Sequence, residues 1–420
     1  MNELINYQCR FCNSRLEHVF LDLGKIPSSN SFLKKEELEK EKTYPLCVYI
    51  CEKCLLVQIP EIRTPDELFS NYAYFSSFSD SWLNHAEEYV KMMIKRFNLN
   101  KSSRIVEIAS NDGYLLKFFA EHNIPVLGIE PASNVAKSAI KKGIPTLEKF
   151  FNTDTAKELK EKNQQADVLL GNNVLAHVPD VNNFVKGMKI LLKPNGIITM
   201  EFPHILQLIN QNQFDTIYHE HFSYFSFFII QKIFFSQGLT IFDVEEIPTH
   251  GGSLRIFVKH SENEIYEIKE SVKNLIKKED DVGLHDYSTY LGFSKKIENI
   301  KKKLNEFLEK SRLEGRSVVC YGAPAKGNTL LNYCKINPDH IEYTVDLSPH
   351  KQGLFLPGTH LPIKSPSIIK ETKPDYIIIL PWNLKGEIME QMKDIKEWGG
   401  KFVIPIPEVK IYSRNFLKQN

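Results

Sequence analysis

The sequence contains no apolar stretch long enough to span a bilayer. Its most apolar run, Tyr224–Phe235, is broken by Ser226, Gln231 and Lys232. It falls well short of the roughly 20 residues a transmembrane helix needs, so no membrane association is expected. A surplus of positive charge is also missing. Fifty-three basic side chains face 52 acidic ones, which argues against a nucleic-acid partner. Arginine is scarce, nine of those 53, although it is the residue preferred for bidentate phosphate and base contacts. The first residues show no basic start followed by an apolar segment, so no secretory leader is expected and the cytoplasm is the expected location. Beyond Cys54 only Cys320 and Cys334 remain, and both read as core residues, not as a disulfide framework.

What is present is a chain of 420 residues, 42% hydrophobic and 25% charged. That length predicts two to four domains, and that balance excludes global disorder. Five of the seven cysteines precede position 55. Four form two pairs, Cys9-Arg-Phe-Cys12 and Cys51-Glu-Lys-Cys54, separated by 38 residues. Two Cys-x-x-Cys pairs can complete a tetrahedral zinc shell. Four sulfur ligands leave no position for water, so the expected zinc is structural, the staple a small module needs to fold. Cys47 is the competing ligand. A redox pair is the alternative, but one Cys-x-x-Cys would suffice for it.

In the middle of the chain strands alternate with helices. Arg104–Ala109 reads as a buried strand, Ser110–Gly113 as a tight turn and Tyr114–Glu121 as a helix. Further strands are expected at Pro125–Glu130, Ala166–Gly171 and Gly196–Glu201. The pattern predicts a parallel sheet with helices on both faces. Its ligand crevice lies at the carboxyl ends of the strands, where Glu107, Asn111, Gly113, Glu130, Asn172 and His177 fall. Glu130, 17 residues beyond Gly113, is placed to bond ribose hydroxyls. Ala109 and Asn111 stand where a dinucleotide fingerprint would have glycines. A pyrophosphate needs close backbone approach, so the turn favours S-adenosylmethionine over NAD. A dehydrogenase and a fold with an inactive site are the rival readings.

Downstream, Phe214-Asp-Thr-Ile-Tyr-His-Glu-His-Phe-Ser-Tyr-Phe-Ser226 sets Tyr218, His219, Glu220 and His221 among aromatic residues. Aromatic surroundings exclude water and retune pKa values, and histidine suits proton transfer at neutral pH. An aromatic core with two satisfied histidines and a His-x-His metal site are the alternatives. Thr249-His-Gly-Gly-Ser-Leu-Arg255 reads as a tight turn carrying His250, Ser253 and Arg255. From about Ser261 the chain is rich in lysine and glutamate. Tyr287–Glu314 has helical periodicity, with Leu304, Phe307 and Leu308 on one face. A second Rossmann-like pattern follows, with strand Ser317–Gly322, helix Asn328–Cys334, strand Ile341–Val345 and strand Pro374–Leu380. Gly322 and Gly327 frame a helix start suited to phosphate, with Lys326 beside it. A domain used only for packing is the alternative.

Taken together, the paired cysteines and a series of motifs resemble the deoxysugar C-methyltransferases that act on nucleotide-linked keto sugars. The motifs are Tyr72-Ala-Tyr74, Val106-Glu-Ile-Ala-Ser-Asn-Asp-Gly113, Asn173-Val-Leu-Ala-His177, Asp215-Thr-Ile-Tyr-His-Glu-His221, His250-Gly-Gly-Ser-Leu-Arg255 and Gly322-Ala-Pro-Ala-Lys-Gly327. The resemblance covers nearly the whole chain in order and implies an α/β protein in three parts. These are a small N-terminal zinc-binding module over 1–70, a central Rossmann-like S-adenosylmethionine-dependent methyltransferase domain over 71–260, and a connecting helix with a C-terminal Rossmann-like α/β domain over 261–420. It implies His221 as general base, with Glu220, Tyr218, His177 and Tyr72 orienting sugar and base. Cofactor contacts fall to Glu107, Ala109, Asn111, Gly113, Glu130 and Asn172. Substrate contacts fall to Tyr74, His219, His250, Ser253, Arg255 and Lys326. The implied partner is a nucleotide-linked sugar. A sugar O-methyltransferase on the same scaffold and a non-catalytic nucleotide-binding zinc protein remain as rivals.

Overall fold

The computed structural model describes residues 7–69, 76–78 and 80–412. The chain divides into two compact units. One takes the residues up to His18 together with Ile50–Ile205 and Glu220–Thr289. The other takes Val19–Tyr49, Leu206–His219 and the chain from Tyr290.

Strands run along the chain as β1 (His18–Ile26), β2 (Tyr44–Ile50) and β3 (Val57–Gln58), then β4 (Ile105–Ile108), β5 (Val126–Ile129), β6 (Thr146–Leu147), β7 (Ala166–Asn172) and β8 (Leu192–Pro203). There follow β9 (Ser223–Tyr224), β10 (Leu239–Ile247) and β11 (Ser253–His260), and in the last third β12 (Val318–Tyr321), β13 (Thr344–Val345), β14 (Ile363–Lys364), β15 (Tyr376–Ile379), β16 (Lys401–Ile404) and β17 (Lys410–Tyr412).

In the first unit seven strands form one sheet in the order β10-β11-β8-β7-β4-β5-β6. The five from β8 to β6 are parallel, as expected from strands alternating with helices. At the other edge β11 runs antiparallel to both β8 and β10, where the sequence had suggested no strand. Every residue of β11 is buried. A strand covered on both faces loses the in-out alternation that marks antiparallel pairing, so its direction could not be read from its pattern. The helix Asp80–Phe97 buries Ala86, Tyr89, Val90 and Met93, a stripe at helical spacing. It packs into a core with Phe119, Val168, Leu170 and Phe257. The short pair β3–β9 joins Val57 to Tyr224 and Gln58 to Ser223. Among the described residues no helix is long and apolar enough to cross a membrane.

In the second unit six strands lie in the order β14-β13-β12-β15-β16-β17, all parallel except the last pair. The helix Phe293–Leu313 buries Ile297, Ile300, Leu304 and Leu308. Phe307 meets the ring of Tyr376 at 5.0 Å. The segment Leu206–His219 is bound into this unit. Phe214 is fully buried beside Tyr333, and Asp215 Oδ2 accepts the indole N–H of Trp382 at 2.7 Å. The molecule is thus α/β throughout, with a Rossmann-like sheet in each unit.

Candidate active site

The four N-terminal thiols converge. Cys9 and Cys54 sulfurs lie 3.5 Å apart, as do those of Cys12 and Cys51, and all four fall within 4.8 Å. Zinc at about 2.3 Å from each sulfur sets them about 3.8 Å apart, so this donor set fits zinc. Cys47 lies on β2 and takes no part in the group. Both pairs use the same turn. The residues that follow them, Asn13 and Leu55, are left-handed, and each donates its N–H back to the first cysteine carbonyl, at 2.9 Å for Cys9 and 2.7 Å for Cys51. Gln58 donates to Cys9 Sγ at 3.1 Å, as a thiolate ligand requires.

At the carboxyl ends of β4, β5 and β7 the structure gathers Glu107, Asn111, Gly113, Glu130 and Asn172. The turn after β4 is left-handed at Ala109, Asn111 and Gly113. Glu130 fixes it by accepting the Asn111 N–H at 2.9 Å and the Ala132 N–H at 2.8 Å. Each carboxylate oxygen keeps a further lone pair. Burial, then the charges of Glu130 and Asp112, hold the Glu107 carboxyl well above its ordinary range. Its Oε2, and both polar atoms of the Asn172 amide, are buried and lack partners among the described residues. Buried polar atoms without partners are costly. Buried, unpartnered polar atoms of this kind at the strand ends fit the adenosyl and amino-acid parts of S-adenosylmethionine.

The histidines form a second cluster in the same unit. His221 and Glu220 are 5% and 4% exposed. The His177 and His221 rings meet edge to face at 4.7 Å, and His221 also faces Tyr224 at 6.3 Å. His177 Nδ1 lies 2.7 Å from the Glu220 carbonyl. A carbonyl only accepts, so the proton sits on Nδ1 and the neutral ring carries its lone pair on Nε2. Burial lowers the His177 pKa to about 4.

Tyr218 and His219 belong to the second unit, where His219 Nε2 donates to the Pro45 carbonyl at 3.2 Å. Lys326, also in that unit, lies over the Trp382 ring at 4.5 Å and donates to Asn383. Burial, partly offset by Asp215, lowers its pKa to about 8. The turn before it is internally tied, with the Ala323 N–H on Asp346 at 2.8 Å. His250 is left-handed and meets the Trp82 ring at 5.2 Å. Ser253 bonds back to the Thr249 carbonyl at 2.9 Å. Tyr72 and Tyr74 lie outside the described residues.

Sequence reasoning overlooked Glu201. It is 2% exposed on β8, beside Asn172 on β7. It binds His85 at 2.8 Å and Arg255 at 2.6 Å, and Arg255 reaches on to Glu245 at 2.9 Å. Burial raises the Glu201 pKa, but His85 and Arg255 outweigh it and leave it lowered. An acid closing a strand at the same level as Asn172 was the available signal; His85, inside a helix, gave none.

A seven-stranded sheet with buried acids at its strand ends, together with a four-thiol zinc module, defines an S-adenosylmethionine-dependent methyltransferase that carries zinc. Comparison with known proteins agrees. Three family models match in succession: "Putative zinc binding domain" over residues 9–69, "Methyltransferase domain" over 82–244 and "C-methyltransferase C-terminal domain" over 248–407. The C-methyltransferase NovU of Streptomyces niveus is 33% identical over 407 residues, which is 97% of each chain. A ubiquinone biosynthesis O-methyltransferase of Bartonella tribocorum is 29% identical over 96 residues, 23% of this chain and 39% of that one. Among solved structures, magnesium protoporphyrin IX methyltransferase from Synechocystis PCC 6803 aligns with 42% of this chain and 78% of its own, at 14% identity and a TM-score of 0.32. The chain belongs to the C-methyltransferase family.

Proposed function

We propose that this C-methyltransferase acts on the carbon beside a ketone in a nucleotide-linked sugar, with His221 as the general base. The observation that carries the base assignment is the edge-to-face pair of His177 and His221, buried next to Glu220. The sugar rests on the motifs that resemble the deoxysugar enzymes. The division into parts at 1–70, 71–260 and 261–420, the last helping to hold the nucleotide, belongs to the same proposal.

When bound, S-adenosylmethionine supplies a methyl group on a positive sulfonium. The chain supplies the means of making a carbon nucleophile. A ketone acidifies the neighbouring C–H, and His221 removes that proton. The negative charge moves onto the ketone oxygen, which needs a hydrogen-bond donor from a tyrosine hydroxyl or a polarising histidine. His177 stays neutral at pH 7, so it adds no positive charge that would suppress protonation of His221. Glu220 orients the cluster through its carbonyl on His177. General-base catalysis contributes about 10²–10⁴-fold.

The test is incubation of a keto sugar nucleotide in deuterated water, with S-adenosylhomocysteine present to read wash-in and, separately, with S-adenosylmethionine to read methyl transfer. The wild-type chain is expected to wash deuterium in beside the ketone. His221→Asn is expected to abolish both wash-in and methyl transfer while still binding S-adenosylhomocysteine. Turnover retained within a few-fold would remove His221 as the base. Methyl transfer without wash-in would identify a hydroxyl acceptor instead.

A further inference from the structure

The zinc module does more than fold itself. We propose that Arg10, between the first two zinc ligands, is a positioning residue that ties the metal knuckle to the two segments bearing His177 and His221. This rests on the reading of His221 as the base.

The guanidinium donates to the Pro179 carbonyl at 2.7 Å and to the Ile59 carbonyl. Pro179 stands two residues beyond His177. Ile59 donates its own N–H to the Phe222 carbonyl at 3.0 Å, and Phe222 directly follows His221. The Phe222 ring also lies under the guanidinium at 5.3 Å, and the Phe222 N–H bonds the Ala176 carbonyl at 2.7 Å. One planar fork therefore binds the His177 segment directly at Pro179 and the His221 segment through Ile59 and the Phe222 ring, a geometry lysine cannot reproduce.

The other end of the chain of contacts is at the metal. The Arg10 N–H donates to Gln58 Oε1 at 2.9 Å, while Gln58 Nε2 donates to Cys9 Sγ at 3.1 Å. Gln58 is 1% exposed and stands opposite Ser223 in the β3–β9 pair. Asn182 adds a bond from its amide to the Phe11 carbonyl at 2.9 Å. Four thiols alone would staple a small module. Among the described residues Arg10 forms no ion pair; it spends its charge on the Pro179 carbonyl, in the His177 segment, and on the Ile59 carbonyl, whose residue is itself bonded to Phe222. Such spending is explained if the ring-to-ring placement of His177 and His221 must hold within a fraction of an ångström. A misplacement of about 1 Å can cost about 10²-fold in rate.

The experiment compares full-length, zinc-loaded wild type with Arg10→Met and Arg10→Lys. Arg10→Met is expected to keep zinc stoichiometry and affinity for S-adenosylhomocysteine. Its kcat should fall about 10- to 100-fold, the range for groups supporting a metal site, with KM within about threefold. Amide hydrogen exchange at Phe222 should quicken in this variant, and again in wild type stripped of zinc by a chelator. A kcat within twofold of wild type, with zinc retained, overturns the proposal. So does an unchanged Phe222 exchange rate after zinc removal. Should Arg10→Met lose zinc, Arg10→Lys decides: a tenfold loss of kcat with zinc retained supports the role, and wild-type kcat overturns it. Full activity in His221→Asn would instead defeat the base assignment, which separates the two failures.

Discussion

His177 shows how one hydrogen bond and burial assign a protonation state. Its Nδ1 proton is committed to the Glu220 carbonyl, and burial lowers its pKa to about 4 from an unfolded value of about 6.5. Below pH 6.5 the unfolded chain takes up a proton that the folded chain refuses. The stability this neutral ring contributes is therefore complete above pH 6.5, declines as pH falls, and is gone below about pH 4. His177→Asn is expected to flatten the stability profile between those limits, measured as the urea midpoint against pH. An unchanged slope would mean that the proton uptake lies elsewhere. The same residue scale explains the Arg255 result. The sequence offered this arginine to a substrate, and the structure spends it on Glu201 and Glu245. A guanidinium enclosed by two carboxylates is held in place by a network, which a one-dimensional string of residues does not display.

Among the elements, the turn after β4 carries the clearest consequence. Gly113 has φ +76°, and a Cβ there would stand 2.9 Å from Ile144 Cγ1. Gly113→Ala is expected to cost about 1–2 kcal/mol for the left-handed backbone and about 1–3 kcal/mol for the clash. It should also weaken S-adenosylhomocysteine binding, since the turn borders the crevice. Calorimetric titration and denaturant melts check both, and an unperturbed melt would show that Ile144 yields freely. This turn was legible because its constraints are local: strand, left-handed turn and acid at the next strand end all follow within one βαβ unit. Ala109 and Asn111 disguised it, yet both adopt the positive φ that glycine usually supplies. The four-cysteine site was legible for the same reason, as spacing alone brings each pair to one turn. His85 and the β11 direction were not legible, because each depends on which strand or helix packs alongside. The expected strand Ile341–Val345 shrank to Thr344–Val345. Its first residue is held in a turn, with the Ile341 N–H 3.4 Å from the Asn337 carbonyl.

For the molecule as a whole, the chain's path matters more than its sequence of domains. The second unit borrows Val19–Tyr49 and Leu206–His219 from the region that precedes most of it. Nothing in composition marks Leu206–His219 as a visitor, because it follows β8 without a linker. Its anchors are long-range: Phe214 against Tyr333 at 5.3 Å, Asp215 on the Trp382 indole at 2.7 Å, and the Ile217 carbonyl on Thr329 at 2.9 Å. Near the start of the chain, Phe20 stacks on Phe293 at 4.9 Å. A chain ended at Thr289 would keep every strand from β4 to β11, and by sequence would pass for a complete methyltransferase with its zinc module. It would also strip the covers from Phe20, Phe214 and Ile217, all buried, and leave the Asp215 carboxyl without its indole. Exposing three large apolar side chains forfeits about 1.5–3 kcal/mol each, a large share of the stability of an ordinary domain. The truncated chain is therefore expected to aggregate or to lose its near-ultraviolet dichroism, even with zinc supplied. A soluble, cooperatively melting product that binds S-adenosylhomocysteine with full affinity would show instead that the borrowed segments are dispensable to the first unit.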